Sequence, residues 1–307
     1  MRLAIVFSGQ GQQSAEHFQA LQAMVSSETA AQLSKLLPDV WQNAAVHCEA
    51  LGQNRIAQPF IFAFQLQWWH QLQPLLPRPI CAAGYSLGEL AACSAAGALD
   101  MQQGISLAAQ RAASMDDCVQ TQAGLMAIMG LPLKDIEEIT ANSNTHLAII
   151  NPDQHYVIGG FEQHLQHAGQ LAHEQGAMRV VRLSVQTPSH TVLLQSATPA
   201  FARHLAPYRN EGPLRFKVLG AMDGRAAMRV AQALDTLADQ ISHAMDWVAC
   251  LQAIRELQPD AVLEIGPGRA MARMWNAIYP DIPARSVDDF RSPVGIQKWV
   301  DNVLARR

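Results

Sequence analysis

Ser86 stands in Gly84-Tyr85-Ser86-Leu87-Gly88-Glu89-Leu90, between a short apolar run, Pro79 to Ala83, and an alanine-rich stretch patterned as a helix. A serine becomes a nucleophile when a sharp strand-to-helix turn lifts its hydroxyl clear of the backbone, and neighbouring chain crowds such a turn. Gly84 and Gly88 supply the room. A helix starting near Leu87 would also point unpaired N–H groups toward the serine oxygen, which suits a developing negative charge. A plain glycine-rich turn with a capping serine has the same letters; the strand-turn-helix setting favours a nucleophilic Ser86.

A serine nucleophile needs a base, and the chain has eleven histidines. His164, His167 and His173 fall on a polar helix, where a solvated surface fits better than a metal site lacking further ligands. His190, in Thr187-Pro188-Ser189-His190, sits where a helix begins at a domain junction, a favoured place for a site. An ordinary helix-start histidine reads the same way. Arg111, on a helix expected over 102–115, is flanked at helical spacing by Leu107, Ala108, Ser114 and Met115, so its guanidinium leaves a largely apolar stripe. It either snorkels to solvent or meets an anion. Buried and unpaired it would cost about 3–5 kcal/mol, and an anion absent from the protein would belong to a substrate.

These residues need a scaffold that joins distant segments. Leu3 to Phe7 is an uninterrupted apolar run, expected of a central parallel strand covered on both faces, and Ser8 to Gln13 breaks it as a loop. Loops at the carboxyl ends of strands in an open α/β sheet converge on the ligand crevice, which places Gln10 near Ser86. Pro59 to Leu72, apolar almost all round, reads as a buried helix. From Gly124 the order is strand (124–131), helix (133–139), strand (146–151), a turn at Pro152-Asp153, strand (155–160), helix (161–175) and strand (177–185). That βαββαβ order is ferredoxin-like, so residues 122–186 read as a small domain inserted into a large α/β body made of 1–121 and 187–307. A helix over 191–205 follows, then a strand around 216–219, two helices within 231–257, a buried strand over 261–265 ended by Gly266-Pro267-Gly268, and helices over 269–278 and 293–304.

Composition bounds the function. With 49% hydrophobic residues over 307 positions, the chain can bury a large core. A formal charge of -4 offers no basic field for nucleic acid. Five widely spaced cysteines, Cys48, Cys81, Cys93, Cys118 and Cys250, argue for thiols in a reducing compartment rather than a disulfide framework or metal site. The first apolar stretch is too short for a signal-peptide core, and no run approaches membrane-spanning length, so the expectation is a soluble, cytoplasmic protein with no membrane partner.

Taken together, the chain resembles the malonyl-CoA:acyl carrier protein transacylase family along its whole length. The matching segments are F-S-G-Q-G-Q-Q at 7–13, G-Y-S-L-G-E at 84–89, Q-R at 110–111, N-P-D-Q-H-Y-V-I-G-G at 151–160, T-P-S-H at 187–190 and E-I-G-P-G at 264–268. The resemblance implies an α/β-hydrolase-like body with a parallel sheet and an inserted ferredoxin-like small domain. It makes Ser86 the nucleophile and His190 the general base and acid. It gives the backbone N–H groups of Gln10 and Leu87 the oxyanion hole, has Arg111 clamp the malonyl carboxylate, and has Gln240 orient the His190 ring through a carbonyl. Asn151 matches a position facing the CoA or carrier arm, though a turn-forming asparagine before Pro152 explains it almost as well. No cofactor is implied; malonyl-CoA is substrate, and the acceptor thiol is a phosphopantetheine-type group on an acyl carrier protein.

Two positions depart from the pattern. Tyr85 stands where fatty-acid-synthesis members usually carry histidine, and Ala244 where a proline is common. The tyrosine looks more like the transacylase (epsilon) subunit of malonate decarboxylase, whose other subunits would then be partners. Other readings are the same reaction for the fatty-acid-synthesis carrier, a serine esterase, and a noncatalytic carrier-docking subunit. The esterase would need an acid between serine and histidine and gives no reason for a buried arginine. Arg179, Arg182 and Arg203 are candidates for a basic patch facing an acidic carrier.

Overall fold

The computed structural model describes residues 2–41, 50–119 and 121–305; Cys48 lies outside the described residues. Its strands, in chain order, are β1 (Leu3–Phe7), β2 (Cys81–Gly84), β3 (Ala123–Met129), β4 (His146–Asn151), β5 (His155–Phe161), β6 (Arg179–Arg182), β7 (Pro213–Leu219), β8 (Ala226–Arg229), β9 (Met245–Asp246), β10 (Ala261–Ile265) and β11 (Ala284–Ser286). They form a six-stranded sheet, ordered β11-β10-β1-β2-β7-β8, and a five-stranded sheet, ordered β6-β3-β5-β4-β9. The larger sheet is parallel except for the β7–β8 pair.

The unbroken apolar letters of β1 and β10 follow from burial on both faces. Leu3, Ile5 and Phe7 pack with the helices Asn54–Leu72 and Gly88–Ala95, while Ala4 and Val6 pack on the other side with Trp247 and Trp275. The helix Asn54–Leu72 begins before the expected start at Pro59, which marks only its first turns. Pro59 sits in the second turn and leaves the carbonyl of Arg55, an exposed residue, without its helical donor.

In the smaller sheet the neighbouring pairs β6–β3, β3–β5 and β5–β4 are antiparallel. The helices Leu133–Ser143 and Glu162–Glu174 cover one face through Ile136, Ile139, Leu165 and Ala168, while Leu125, Ala127, Ile149 and Val157 turn to the other. A fifth strand, β9, joins from residues 245–246 and pairs parallel with β4, tying this sheet to the rest of the chain.

Two expected elements are corrected. The helix over 191–205 is a single turn, Val192–Leu194, followed by a separate helix Ala197–Leu205. Pro199 has no N–H to give to the preceding turn, so the helix holds it in its own first turn and cannot run on from residue 191. The strand over 177–185 is reduced to Arg179–Arg182, with one further bond from Leu183 N–H to the Leu125 carbonyl.

Candidate active site

β1 and β2 run side by side with Phe7 opposite Gly84. The loops that leave them bring Gln10 and Ser86 to the wall of one cavity of about 190 Å3. Ser86 has φ +55°, in the left-handed region; non-glycine residues there cost on the order of 1–3 kcal/mol and cluster at active sites. Close passage of backbone explains its two glycines. A Cβ on Gly84 would lie 2.0 Å from the Gly88 carbonyl carbon, and one on Gly88 would lie 2.3 Å from the Phe7 carbonyl oxygen.

His190 is likewise left-handed, with φ +64°. The Thr187–His190 segment is pinned by Asn54, whose Nδ2 donates to Thr187 Oγ1 and to Asp116 Oδ1, each at 2.7 Å. The His190 ring lies with Nε2 2.7 Å from Ser86 Oγ and Nδ1 2.7 Å from the main-chain carbonyl oxygen of Gln240. A carbonyl only accepts, so Nδ1 carries the proton and Nε2 turns a lone pair to the serine hydroxyl. Burial, with the charge of Arg111 adding to it, pushes His190 down to about 3, and the carbonyl bond opposes the shift. At neutral pH the ring is uncharged and able to take a proton.

Arg111 is 1% exposed, which overturns the snorkelling alternative: the apolar stripe on its helix is packed and carries the guanidinium inward. Nη1 donates to Gln58 Oε1 at 3.0 Å and Nη2 to Gln240 Oε1 at 3.3 Å, while Nε has no partner among the described residues. Both partners are neutral amides. Burial lowers Arg111 to about 10 and the charge of Glu89 opposes this, so the guanidinium remains cationic at the cavity wall.

Gln240 follows the helix Val230–Asp239 and is wholly buried. Its main-chain oxygen serves His190, its Oε1 serves Arg111, and its Nε2 donates to Glu89 Oε2 at 2.6 Å. Leu87 and Gln10 both line the cavity, and their backbone N–H groups have no acceptor among the described residues. Tyr85 also lines it, edge-on to Trp247 at 5.2 Å, and its Oη donates to Asn151 Oδ1 at 3.2 Å. Burial raises the Tyr85 phenol to about 12 against the Asn151 bond, so it stays a neutral donor. Asn151 is buried and does not itself line the cavity; it reaches the site through Tyr85, and its Nδ2 has no partner among the described residues.

Three residues at the site were missed by sequence reasoning. Gln58 carries one side of Arg111, and its signal was a polar residue beside an apolar run. His155 lines the cavity at the start of β5, inside the 151–160 motif but unmarked by its local pattern. Glu89 is 1% exposed in an alanine-rich helix, where a lone carboxylate calls for a partner. Of the three arginines considered for a carrier patch, Arg182 is corrected: it pairs with Glu162 at 3.0 Å and donates to the carbonyls of Leu125, Leu183 and Ala123. Arg179 and Arg203 are exposed. Among the described residues no helix is long and apolar enough to cross a membrane, and no three His, Cys, Asp or Glu side chains gather as a metal site.

The family described as the acyl transferase domain matches residues 5–281, and the chain belongs to it. It is an acyltransferase of mixed α/β fold. Its relatives include the malonyl CoA-acyl carrier protein transacylase of Haemophilus influenzae, 29% identical over 97% of this chain and 99% of that protein. An acyl carrier protein S-malonyltransferase from Vibrio cholerae has a crystal structure similar to this one, with TM-score 0.84 and 28% identity over 94% of this chain and 97% of that one. A malonyl-transacylase solved in complex with its type II PKS acyl-carrier protein matches with TM-score 0.83 and 27% identity, over 96% of this chain and 98% of that one.

Proposed function

We propose that this chain moves a malonyl group from malonyl-CoA to the phosphopantetheine-type thiol of an acyl carrier protein through a malonyl-Ser86 intermediate. One observation carries the reading: beside the Ser86–His190 pair, a fully buried guanidinium faces the cavity with only neutral amide oxygens as hydrogen-bond partners. A carboxylate at the far end of a short acyl group supplies the missing anion through two parallel hydrogen bonds, a geometry lysine cannot copy. The named activities of these relatives support the same donor, and the transacylase solved with its carrier supports the same class of acceptor.

The chemistry runs in two half-reactions. Ser86 Oγ attacks the thioester carbonyl carbon as its proton passes to His190 Nε2, and the oxyanion takes the N–H groups of Gln10 and Leu87. The C–S bond breaks, and the CoA sulfur leaves with the proton held by His190. The carrier thiol then gives its proton to His190, its sulfur attacks the malonyl ester, and Ser86 leaves with that proton. The Gln240 carbonyl stands where a hydrolase triad has a carboxylate. A neutral acceptor fixes the ring tautomer without a second charge in a dry site.

For the architecture we assign residues 1–121 and 187–307 to a catalytic body and 122–186 to a small domain that closes over it. For the acceptor we assign the carrier of malonate decarboxylase, supported by Tyr85, whose ring lines the cavity and whose hydroxyl engages Asn151. Intact-mass measurement after brief mixing with malonyl-CoA tests the reaction: a malonyl-sized adduct on the native chain, absent from Ser86→Ala, is expected. An adduct on neither would point to a noncatalytic docking subunit. Initial rates with the two kinds of carrier test the assignment of the acceptor, and a faster transfer to the fatty-acid-synthesis carrier would reverse it.

A further inference from the structure

Arg111 is held on two sides by amides, and the two amides are not equally secured. Gln58 Oε1 accepts from Arg111 while its Nε2 reaches only the Met115 sulfur at 3.7 Å, a weak acceptor. Gln240 Oε1 accepts from Arg111 while its Nε2 donates to Glu89 Oε2 at 2.6 Å. The same Glu89 oxygen accepts the backbone N–H of Ala221 at 3.0 Å, just beyond β7. An arginine only donates and a carboxylate oxygen accepts, so one orientation of the Gln240 amide pairs a donor with an acceptor at both ends. Turned over, it would set an NH2 group against the guanidinium and an oxygen against the Glu89 oxygen.

We infer that Glu89 is a positioning residue for acyl-group selectivity, which fixes the Gln240 amide so that its oxygen holds Arg111 in place to receive the substrate carboxylate. The inference rests on Arg111 being the carboxylate clamp. Glu89 sits in the first turn of the helix that follows Ser86, so the helix that presents the nucleophile also carries the residue securing the far end of the acyl pocket. Burial pushes Glu89 up to about 7 against its bonds from Ala221 and Gln240 and the charge of Arg111. Its Oε2 accepts both N–H groups whether or not Oε1 carries a proton, so the role does not depend on the ionisation state.

The test compares kcat/KM for malonyl-CoA and acetyl-CoA in the full-length chain carrying Glu89→Met, Glu89→Gln or Arg111→Ala. Glu89→Met removes the acceptor and should lower the malonyl-to-acetyl ratio about tenfold or more, chiefly through KM for malonyl-CoA. Glu89→Gln restores an oxygen that can accept both N–H groups and should bring the ratio back to within about threefold of native. A native ratio in folded Glu89→Met overturns the inference, as does a Glu89→Gln protein as impaired as Glu89→Met. If Glu89→Met does not fold, Gln240→Leu interrupts the same chain of bonds while leaving the main-chain carbonyl to His190, and an unchanged ratio there overturns it equally. Arg111→Ala separates the two levels. A ratio unmoved by Arg111→Ala removes the clamp itself, whereas a ratio that falls there but not in Glu89→Met removes only the part given to Glu89.

Discussion

Both sheets reach the cavity, yet they give it different things. From the parallel sheet the loops after β1 and β2 bring Gln10, Ser86 and Leu87, and the segments around it add Gln58, Arg111 and His190. The antiparallel strands β3, β4 and β5 bring Leu125, Ala127, Ile149 and Val157, with His155 at the edge. One side is a set of hydrogen-bonding groups, His190 and Arg111 among them held by further partners, and the other is an apolar wall. The contrast follows from geometry. Loops at the ends of parallel strands can turn backbone N–H groups and polar side chains into a crevice, whereas alternate residues of a pleated strand present a continuous face. Chemistry is concentrated on the first side, and exclusion of water, which strengthens every charge there, on the second.

The largest effects should come from the polar side. Ser86→Ala removes the proposed bond-forming atom and should lower transfer about 10^4-fold or more, with no covalent adduct by mass. Arg111→Ala should depress kcat/KM for malonyl-CoA by about 10^2- to 10^3-fold while acetyl transfer persists or rises, because only the malonyl group loses a buried charge partner. Equal loss for both acyl groups would break the assignment of the clamp. Where the two sides meet, Tyr85→Phe removes only the donor that the loop after β2 gives to Asn151 on β4, and should change kcat/KM about two- to tenfold without altering the malonyl preference. A hundredfold loss in that variant would move part of the catalytic machinery to the apolar side and end the division drawn here.

The smallest effect concerns pH. His190 is held near 3, so the folded protein keeps the proposed base neutral through the range in which a free imidazole gains a proton. The acylation rate should therefore change less than about twofold between pH 8 and 6, and a fall centred near 6.5 in stopped-flow measurement would contradict it. Stability follows the same depression. Between the unfolded value near 6.5 and about 3, the unfolded chain binds a proton that folded His190 does not, so this residue's contribution weakens as pH falls through that window. His190→Gln should have a shallower loss of stability on acidification from pH 6.5, seen in denaturant midpoints.

Legibility along the chain tracks how local each cause is. β1, β10 and the Ser86 turn were readable because burial on both faces writes an unbroken apolar run and close backbone passage writes a glycine. β9, two residues long, was not, since it exists only by pairing with β4. The helix over 191–205 was misread because apolar spacing continued across a segment that Pro199 and the left-handed His190 interrupt. At the site, Ser86, His190 and Arg111 stood out by residue type and setting, converging strand-end loops placed Gln10 beside Ser86, and the resemblance supplied the role of Gln10 together with Leu87, Gln240, Tyr85 and Asn151. Gln58, His155 and Glu89 carried no periodic mark of their own, and Arg182, which looked free for a partner, is held by backbone oxygens.

The sequence by itself determined which strands are buried, where the tight turn at Ser86 falls, and that an arginine leaves an apolar helix face, because each follows from neighbours within a few residues. Only the tertiary structure decided that this arginine faces a cavity rather than solvent. It also decided that His190 meets the backbone of Gln240, 50 positions away, and that Gln240 meets Glu89, 151 positions away. Hydrogen bonds act over about 3 Å, so they depend on which distant segments the packed core brings together and leave little trace in local spacing.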